Sequence, residues 1–256
     1  MATLQSDGYV KSSIKDGVTT IEFFHPQSNS LPGKILRELA LAIEAAGKDM
    51  ATKVIILRSA GDKAFCAGAS FDELMAIKTE EEGLKFFSGF AGVINAMRVC
   101  PKFIIGRIQG KCVGGGVGLA ASVDYAIAIE TAHVKLSELA VGIGPFVVGP
   151  AVERKTGTSA FTQLAIDATN WRDAQWAGRK GLFSEVHALI FGVDESINRL
   201  AETLAKSSPE AMAEMKKTFW KGTENWDQLL LERAAISGRL VLSEFTKKAI
   251  AKFKSK

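Results

Sequence analysis

Two short segments of the sequence could present backbone amide groups to a negatively charged atom. In the segment QGKCVGGGVGLAASV, glycines 114–116 follow an apolar run and precede a stretch of small residues that is typical of a helix. Because glycine has no side chain, a ligand can approach this backbone closely, and N–H groups at a helix start attract negative charge. A phosphate group could bind there, and so could a carbonyl oxygen that becomes an enolate during a reaction.

The second segment, AFCAGASFDEL at residues 64–74, has a similar organisation. An apolar strand end leads into a turn of small residues, and Ser70 is placed to cap the helix that follows. Two strand-to-helix turns of this kind could each direct one amide at the same oxygen atom. The pair therefore predicts an oxyanion hole built from backbone groups.

Glu138 is the acidic residue most suited to proton transfer. It lies in the segment LSELAVGIGP, between a short strand and a glycine-rich loop, and most of its neighbours are apolar. Withdrawing a carboxylate from water raises its pKa towards neutrality, as a residue that accepts and returns protons requires. A glutamate that caps a surface turn would give the same local pattern, so the other motifs must separate the two interpretations.

Alternating strands and helices in the first half of the chain must position these segments. Residues 8–24 alternate in polarity around an Asp-Gly pair, which predicts a hairpin. Three apolar segments are short enough to be strands buried on both faces, at residues 53–57, 103–108 and 124–129. Helical spacing predicts helices at residues 32–49, 80–98 and 116–122. This order indicates an α/β fold whose ligand site lies at the carboxyl ends of the strands.

Beyond residue 150 the sequence predicts helices alone. Residues 132–149 first leave the alternating pattern for a short strand and a glycine-proline loop, and such loops often carry functional residues. Helices are then predicted at residues 149–156, 158–168, 172–179, 193–206, 208–221 and 224–254. No flexible linker separates them from the α/β part, so we expect the two parts to share one core.

Composition restricts the class of protein. A chain of 256 residues that is 47% hydrophobic can bury a full core. A net charge of +4, without a sequence motif of nucleic-acid recognition, argues against nucleic-acid binding. Three widely spaced cysteines and three isolated histidines predict neither disulfides nor a metal site. No apolar run reaches the roughly 18 residues that span a bilayer, and no signal core is seen, so we expect a cytoplasmic protein without membrane contact.

Several motifs, in this order, resemble those of the crotonase family, the enoyl-CoA hydratase/isomerase superfamily. They are AFCAGASFDEL, QGKCVGGGVGLAASVDYAIA, AHVKLSELAVGIGP and WRDAQWAGRKGLFSEV, preceded by HPQSNSL, which is similar to the family's RPxxxNAL. The resemblance implies a crotonase-like spiral of ββα-type turns over residues 1–195. It also implies a helical C-terminal region over residues 196–256 that builds homotrimers, or hexamers made of two trimers. The implied substrate is an acyl-CoA, with coenzyme A as part of that substrate and no permanently bound cofactor.

The resemblance also implies roles for individual residues. The thioester oxygen would accept hydrogen bonds from the amides of Ala69 and Gly115, and Glu138 would be the catalytic acid and base. Coenzyme A would pass along Ala67, Gly68, Ala69, Ser70, Phe71 and Asp72, beside Gly115. The C-terminal lysines could reach its phosphates: Lys247, Lys248, Lys252, Lys254 and Lys256.

Two departures from the family pattern bear on the reaction. Hydratases of the family carry a second glutamate in the helix after the triple glycine, and that position is Gly118 here, while the aspartate after AGA is Ser70. One retained acid suits a double-bond shift, in which a proton moves between carbons. A GGGxGL segment followed by SE is instead similar to bacterial hydratase-like members linked to branched-chain acyl-CoA breakdown, with Ser137, Glu73 or a water as the helper.

We therefore favour hydration of a 2-enoyl-CoA, with a branched chain as one option. The alternative is Δ3,Δ2-enoyl-CoA isomerisation by a single glutamate, and a further alternative is a catalytically degenerate acyl-CoA-binding scaffold. A dinucleotide-binding turn fails because Leu119 stands where its third glycine is required. Phe146 and Trp220 are candidates for the wall of the acyl pocket. The four tryptophans, at 171, 176, 220 and 226, are otherwise interpreted as helix-packing residues.

Overall fold

The computed structural model of this chain describes residues 8–254. Its strands are β1 Tyr9–Lys15, β2 Val18–Phe24, β3 Ser30–Leu31, β4 Val54–Ser59, β5 Ala64–Cys66, β6 Gly68–Ala69, β7 Phe103–Ile108, β8 Lys111–Val113, β9 Tyr125–Ile129, β10 Val134–Lys135 and β11 Glu185–His187. Six of them form the main sheet in the order β1-β2-β4-β7-β9-β11. Only β1 and β2 are antiparallel in it.

Helices cover both faces of this sheet. They are α1 Gly33–Lys48, α2 Phe71–Ala76, α3 Glu80–Val99, α4 Gly115–Ser122, α5 Gly149–Ile166, α6 Ala174–Arg179, α7 Ile190–Ala205, α8 Pro209–Phe219, α9 Trp226–Leu240 and α10 Glu244–Lys254. A 3-10 helix, Glu138–Val141, follows β10. The predicted α/β class is confirmed. No helix among residues 8–254 combines the length and apolar character that crossing a membrane would require.

The hairpin and the buried strands form as the sequence predicts. Asp16 and Gly17 have φ angles of 50° and 81°, the left-handed values that a tight hairpin turn needs. All residues of β4 from Val54 to Leu57 are buried. Ile55 and Leu57 pack with α1 and α3 on one face of the sheet, whereas Val54 and Ile56 pack with α7 and α8 on the other. This alternation is the two-residue period of a strand between two helical layers.

A second, smaller sheet carries the candidate functional segments. Its three parallel strands lie in the order β10-β8-β5, so the chain leaving β5 and the chain leaving β10 lie on opposite sides of β8. Gly114 follows β8, and Ser137 and Glu138 lie just beyond β10. The segment after β5 continues into β6, which pairs with β3. Because parallel strands end at one edge of a sheet, these segments meet there.

The second half of the chain differs from the prediction in two respects. A strand, β11, is present beyond residue 150, where helices alone were expected; it has three residues and pairs with the buried edge of β9, a contact that the local sequence does not reveal. The predicted helix 224–254 is two helices, α9 and α10. The break predicted at Gly157 is confirmed by its φ angle of 77° within α5. The expected division after residue 195 falls inside α7, and a trimerisation region stays a prediction.

Candidate active site

A cavity of about 420 Å³ lies where the strands of the smaller sheet end. Its walls are mostly apolar, with phenylalanine rings from α3 and valines from the loop before α5. The backbone of residues 67–69 and of Gly114 and Gly115 forms part of the wall, and Glu138 forms another part. An apolar cavity with a few convergent polar groups is the usual form of a small-molecule site.

Each of the three consecutive glycines is required by a different neighbour. A Cβ atom at Gly114 would lie 3.0 Å from Glu138 Oε1, and the φ angle of this residue is 53°. A Cβ at Gly115 would lie 2.3 Å from Cζ of Phe90, and one at Gly116 would lie 2.1 Å from the carbonyl oxygen of Cys66. The backbone contact excludes a side chain at Gly116, a side chain at Gly115 would displace the Phe90 ring, and the positive φ angle strains other residues at Gly114. The triple glycine therefore lets the turn, the acid and the aromatic wall approach each other.

The two strand-to-helix turns come together at this cavity. A Cβ at Gly68 would lie 3.7 Å from the Gly115 nitrogen and 3.1 Å from the Val113 carbonyl oxygen. Gly68 avoids strain there with a φ angle of 95° that few other residues adopt. Ala69 and Gly115 both line the cavity. As the first residue of α4, Gly115 has no acceptor for its N–H within the helix.

The segment expected to hold coenzyme A is only partly in the cavity. Ala67, Gly68, Ala69 and Phe71 line it, together with Gly115. Ser70 is buried instead, and its Oγ accepts a hydrogen bond from the Glu73 N–H at 3.3 Å, so the predicted helix cap is confirmed. Asp72 accepts a hydrogen bond from Gln27 Nε2 at 3.1 Å and does not line the cavity.

Glu138 places a carboxyl group in an apolar environment. The residue is partly accessible, but its Oε2 atom is buried and finds no hydrogen-bond partner within residues 8–254, while Oε1 lies against Gly114. Desolvation by burial raises the pKa of Glu138 from 4.5 to about 7, and a hydrogen bond from its own backbone N–H offsets part of the effect. A carboxyl group with this pKa can both accept and donate a proton near neutrality.

The position of the family's second glutamate is closed in this protein. Gly118 is buried in α4, and a Cβ there would lie 2.5 Å from Cγ1 and 2.8 Å from Cβ of Val148. Glu73, a candidate helper, accepts a hydrogen bond from the Gly33 N–H at 2.9 Å and lies outside the cavity, which Ser137 does line. Among residues 8–254, Glu138 is therefore the one carboxylate in the cavity wall.

Two predictions about aromatic residues need correction. Phe146 lines the cavity as expected, but Trp220 does not. Trp220 is buried against Trp226, and its Nε1 donates to Asp124 Oδ1 at 3.3 Å. Trp171, interpreted from the sequence as a packing residue, lies in the cavity wall. It reaches this place because Arg172 bridges Val134, a long-range pairing that leaves no local signal.

The fold and the site together are typical of one class of enzyme. A parallel α/β scaffold brings two glycine-containing turns and one desolvated acid to the same edge, an arrangement that suits proton transfer next to a carbonyl group. Lys247, Lys248 and Lys252 are not among the residues that line the cavity; the side chain of Lys254 and the whole of Lys256 lie outside the part of the chain that the structure describes.

Comparisons with known proteins agree with this class. The profile of the enoyl-CoA hydratase/isomerase family matches residues 13–254. A probable enoyl-CoA hydratase of Bacillus subtilis is 26% identical over 251 residues, which are 96% of each chain. The methylglutaconyl-CoA hydratase of Mus musculus is 31% identical over 200 residues, 77% of this chain and 63% of that one. The crystal structure of an enoyl-CoA hydratase from Bacillus halodurans superposes with a TM-score of 0.88 at 21% identity, covering 95% of this chain and 99% of that chain.

The chain therefore belongs to the enoyl-CoA hydratase/isomerase family and is an acyl-CoA enzyme of the hydratase/isomerase class. Its fold is the crotonase fold that the sequence motifs predicted.

Proposed function

We propose that the enzyme hydrates a 2-enoyl-CoA, with Glu138 as its acid and base. The observation that carries the proposal is the buried Oε2 atom of Glu138, which lies beside the turn of Gly114 and Gly115 and has no hydrogen-bond partner in the described part of the chain. In this proposal the amides of Ala69 and Gly115 donate hydrogen bonds to the thioester oxygen. Coenzyme A is part of the substrate, and no permanent cofactor takes part.

One carboxyl group can complete this reaction in two steps. In the first step Glu138 accepts a proton from water while the water oxygen bonds to C3 of the acyl chain, and the electron pair of the double bond moves to the thioester oxygen as an enolate. The two amides stabilise that negative charge. In the second step Glu138 returns the proton to C2, and the enolate electrons close the thioester carbonyl. The product is a 3-hydroxyacyl-CoA, and Glu138 is regenerated.

The names of the relatives support hydration and a branched acyl chain. Those reported above include a probable enoyl-CoA hydratase and a methylglutaconyl-CoA hydratase. Apolar walls of phenylalanine and valine side chains, including Phe146, suit a short branched acyl group. A homotrimer, or a hexamer of two trimers, is part of the same proposal and is tested by the mass of the protein in solution.

A second candidate reaction is the shift of a double bond between C3 and C2. It is favoured by the contact of Val148 with Gly118, because the closed position leaves one acid where hydratases of the family have two. Isomerisation needs no water, and a single carboxyl group suffices to remove a proton from C2 and return it at C4.

The two reactions are separated by incubating the enzyme with matched 2-enoyl- and 3-enoyl-CoA esters in ¹⁸O-labelled water. Hydration predicts one heavy oxygen in the product of the 2-enoyl ester. A shifted alkene without heavy oxygen would replace the proposal with isomerisation. Tight acyl-CoA binding with no turnover of any ester would support the non-catalytic scaffold instead.

A further inference from the structure

One edge of the cavity carries two lysines around a tryptophan ring. The Nζ atom of Lys135 lies 4.4 Å from the ring centroid of Trp171, and the Nζ atom of Lys111 lies 5.1 Å from it. Lys135 and Trp171 line the cavity, whereas Lys111 is exposed at its outer side. The face of an aromatic ring attracts cations, so the Trp171 ring favours the placement of both ammonium groups at this edge of the cavity.

Neither lysine is neutralised by the protein. Within residues 8–254, no carboxylate forms a salt bridge with Lys111 or Lys135. Asp167, close in sequence to Trp171, is engaged by Arg172 at 2.8 Å and by Asn170 at 2.7 Å. Two positive charges beside one ring, without a counter-charge from the part of the chain that the structure describes, raise the local positive potential and favour an anionic ligand.

Lys135 lies on the side of the smaller sheet away from the coenzyme segment, and Lys111 lies on the central strand β8. Lys135 is on β10, and Ala67 to Ala69 follow β5, which is on the other side of β8. Lys135 is also three residues before Glu138 on the same stretch of chain. Glu138, Lys135 and Trp171 line the same cavity, so an acyl chain that passes Glu138 can reach Lys135 and Trp171 without leaving it.

We propose that the acyl group of the substrate ends in an anionic group, a carboxylate, which Lys135 binds and Lys111 attracts. This inference rests on the proposed function, because it assumes that the thioester lies between Ala69 and Gly115. Lysine acts as a point charge with three donors, so it can bind a carboxylate at the end of a flexible chain. The substrate class is then a dicarboxylic acyl-CoA thioester.

The first test measures binding without turnover. Glutaryl-CoA and valeryl-CoA have acyl chains of equal length and differ in the terminal carboxylate, so their dissociation constants are compared by calorimetry. We expect glutaryl-CoA to bind the wild-type protein about tenfold or more tightly, since a hydrogen bond between charged groups is worth that much. Equal affinities for the two esters would overturn the proposal.

Variants assign the preference to the lysines. Lys135→Gln should abolish the tighter binding of glutaryl-CoA relative to valeryl-CoA, and Lys111→Gln should reduce this preference by a smaller factor. Lys135→Arg should retain most of the preference because the charge is kept. Lys48→Gln, at the exposed end of α1, is the matched control and should leave it unchanged. A preference that survives in the Lys135→Gln variant would contradict the assignment.

A phosphate of coenzyme A is the other possible source of the anion. N-acetylcysteamine thioesters of the same two acids lack these phosphates. The proposal predicts that Lys135→Gln abolishes the preference for the glutaryl group in this series too. If the variant instead weakens both CoA esters equally and leaves both N-acetylcysteamine esters unchanged, the anion belongs to coenzyme A and the proposal is wrong.

Turnover gives an independent readout. The proposal predicts that Lys135→Gln lowers kcat/KM for glutaconyl-CoA about tenfold or more relative to 2-pentenoyl-CoA, its uncharged counterpart. If the wild-type enzyme hydrates neither ester but the binding preference is present and depends on Lys135, the proposed hydration fails while the anion site is supported.

Discussion

Two acidic side chains are withdrawn from solvent in different ways. Asp124 Oδ2 accepts hydrogen bonds from the buried Lys216 Nζ at 2.8 Å and from the Ile104 N–H at 2.8 Å, and Oδ1 accepts one from Trp220 Nε1. Glu138 Oε2 is buried and has no hydrogen-bond partner among residues 8–254. The donors around Asp124 come from β7 and from the C-terminal end of α8, whereas the carboxyl group of Glu138 faces a cavity.

The difference in hydrogen-bond partners indicates that Asp124 stabilises the fold, whereas the carboxyl group of Glu138 is free to exchange a proton with a substrate. The energetic cost of burying a charge is offset at Asp124 by a cation and two further donors. At Glu138 only the hydrogen bond from its own backbone N–H offsets part of that cost, and burial raises the pKa to about 7. Unsatisfied buried polar groups are few in native proteins, and one whose pKa is raised in a cleft is a candidate for function.

The largest effect is expected from removing the available acid. Glu138→Gln should lower kcat by about 10²–10⁴-fold, the usual contribution of a positioned acid or base, and should leave the fold intact. The measurement is kcat on the best 2-enoyl-CoA, with Glu73→Gln as the control outside the cavity. An unchanged kcat in Glu138→Gln would remove Glu138 from the reaction.

Replacing Asp124, whose carboxylate is fully hydrogen-bonded, should lower the stability of the protein rather than its catalytic rate. Asp124→Asn leaves the Lys216 charge buried without its counter-charge, and breaking such a pair costs about 3–5 kcal/mol of the free energy of unfolding. The measurement is urea unfolding, with kcat determined below the transition. A second substitution, Lys216→Met, removes the unpaired buried charge and should restore most of the free energy of unfolding. An Asp124→Asn variant that is stable but inactive would reverse the assigned roles of the two acids.

The raised pKa of Glu138 predicts a pH dependence of stability. As pH rises from 4.5, the unfolded state loses this proton first, and the folded state loses it near pH 7. The free energy of unfolding should therefore fall across this window, by at most about 3 kcal/mol, and then level off. Activity should rise over the same range as Glu138 becomes a base. In the Glu138→Gln variant, whose side chain does not titrate, this fall in the free energy of unfolding should be absent.

Much of the site could be predicted because its signals are local. The triple glycine, the Ser70 cap and the apolar neighbours of Glu138 are all visible within short segments, and the resemblance placed them in one family. The two core layers also follow from the alternation in β4, since a strand buried on both faces must carry apolar side chains throughout.

The remaining features depend on contacts between distant residues. Trp171 reaches the cavity through the bridge between Arg172 and Val134, and β11 exists because the edge of β9 is open to it. Trp220 was predicted in the pocket because it is large and apolar, yet its indole N–H is bound to Asp124. No local pattern shows which partner such a residue will find.

The smallest predicted effect concerns Gly118, the position where hydratases of the family carry a second acid. Gly118→Ala gains about 1 kcal/mol from helix propensity, but overpacking costs about 1–3 kcal/mol, and the added Cβ would lie 2.5 Å from Val148 Cγ1. A net loss of about 1 kcal/mol in the free energy of unfolding is expected. In a Val148→Ala background the same change should cost less, because the contact with Cγ1 is gone and only the 2.8 Å contact with the Val148 Cβ remains, and the double-mutant cycle measures this coupling. If Gly118→Ala stabilises the wild-type protein, position 118 can accept a side chain, and steric exclusion by Val148 does not explain the missing second acid.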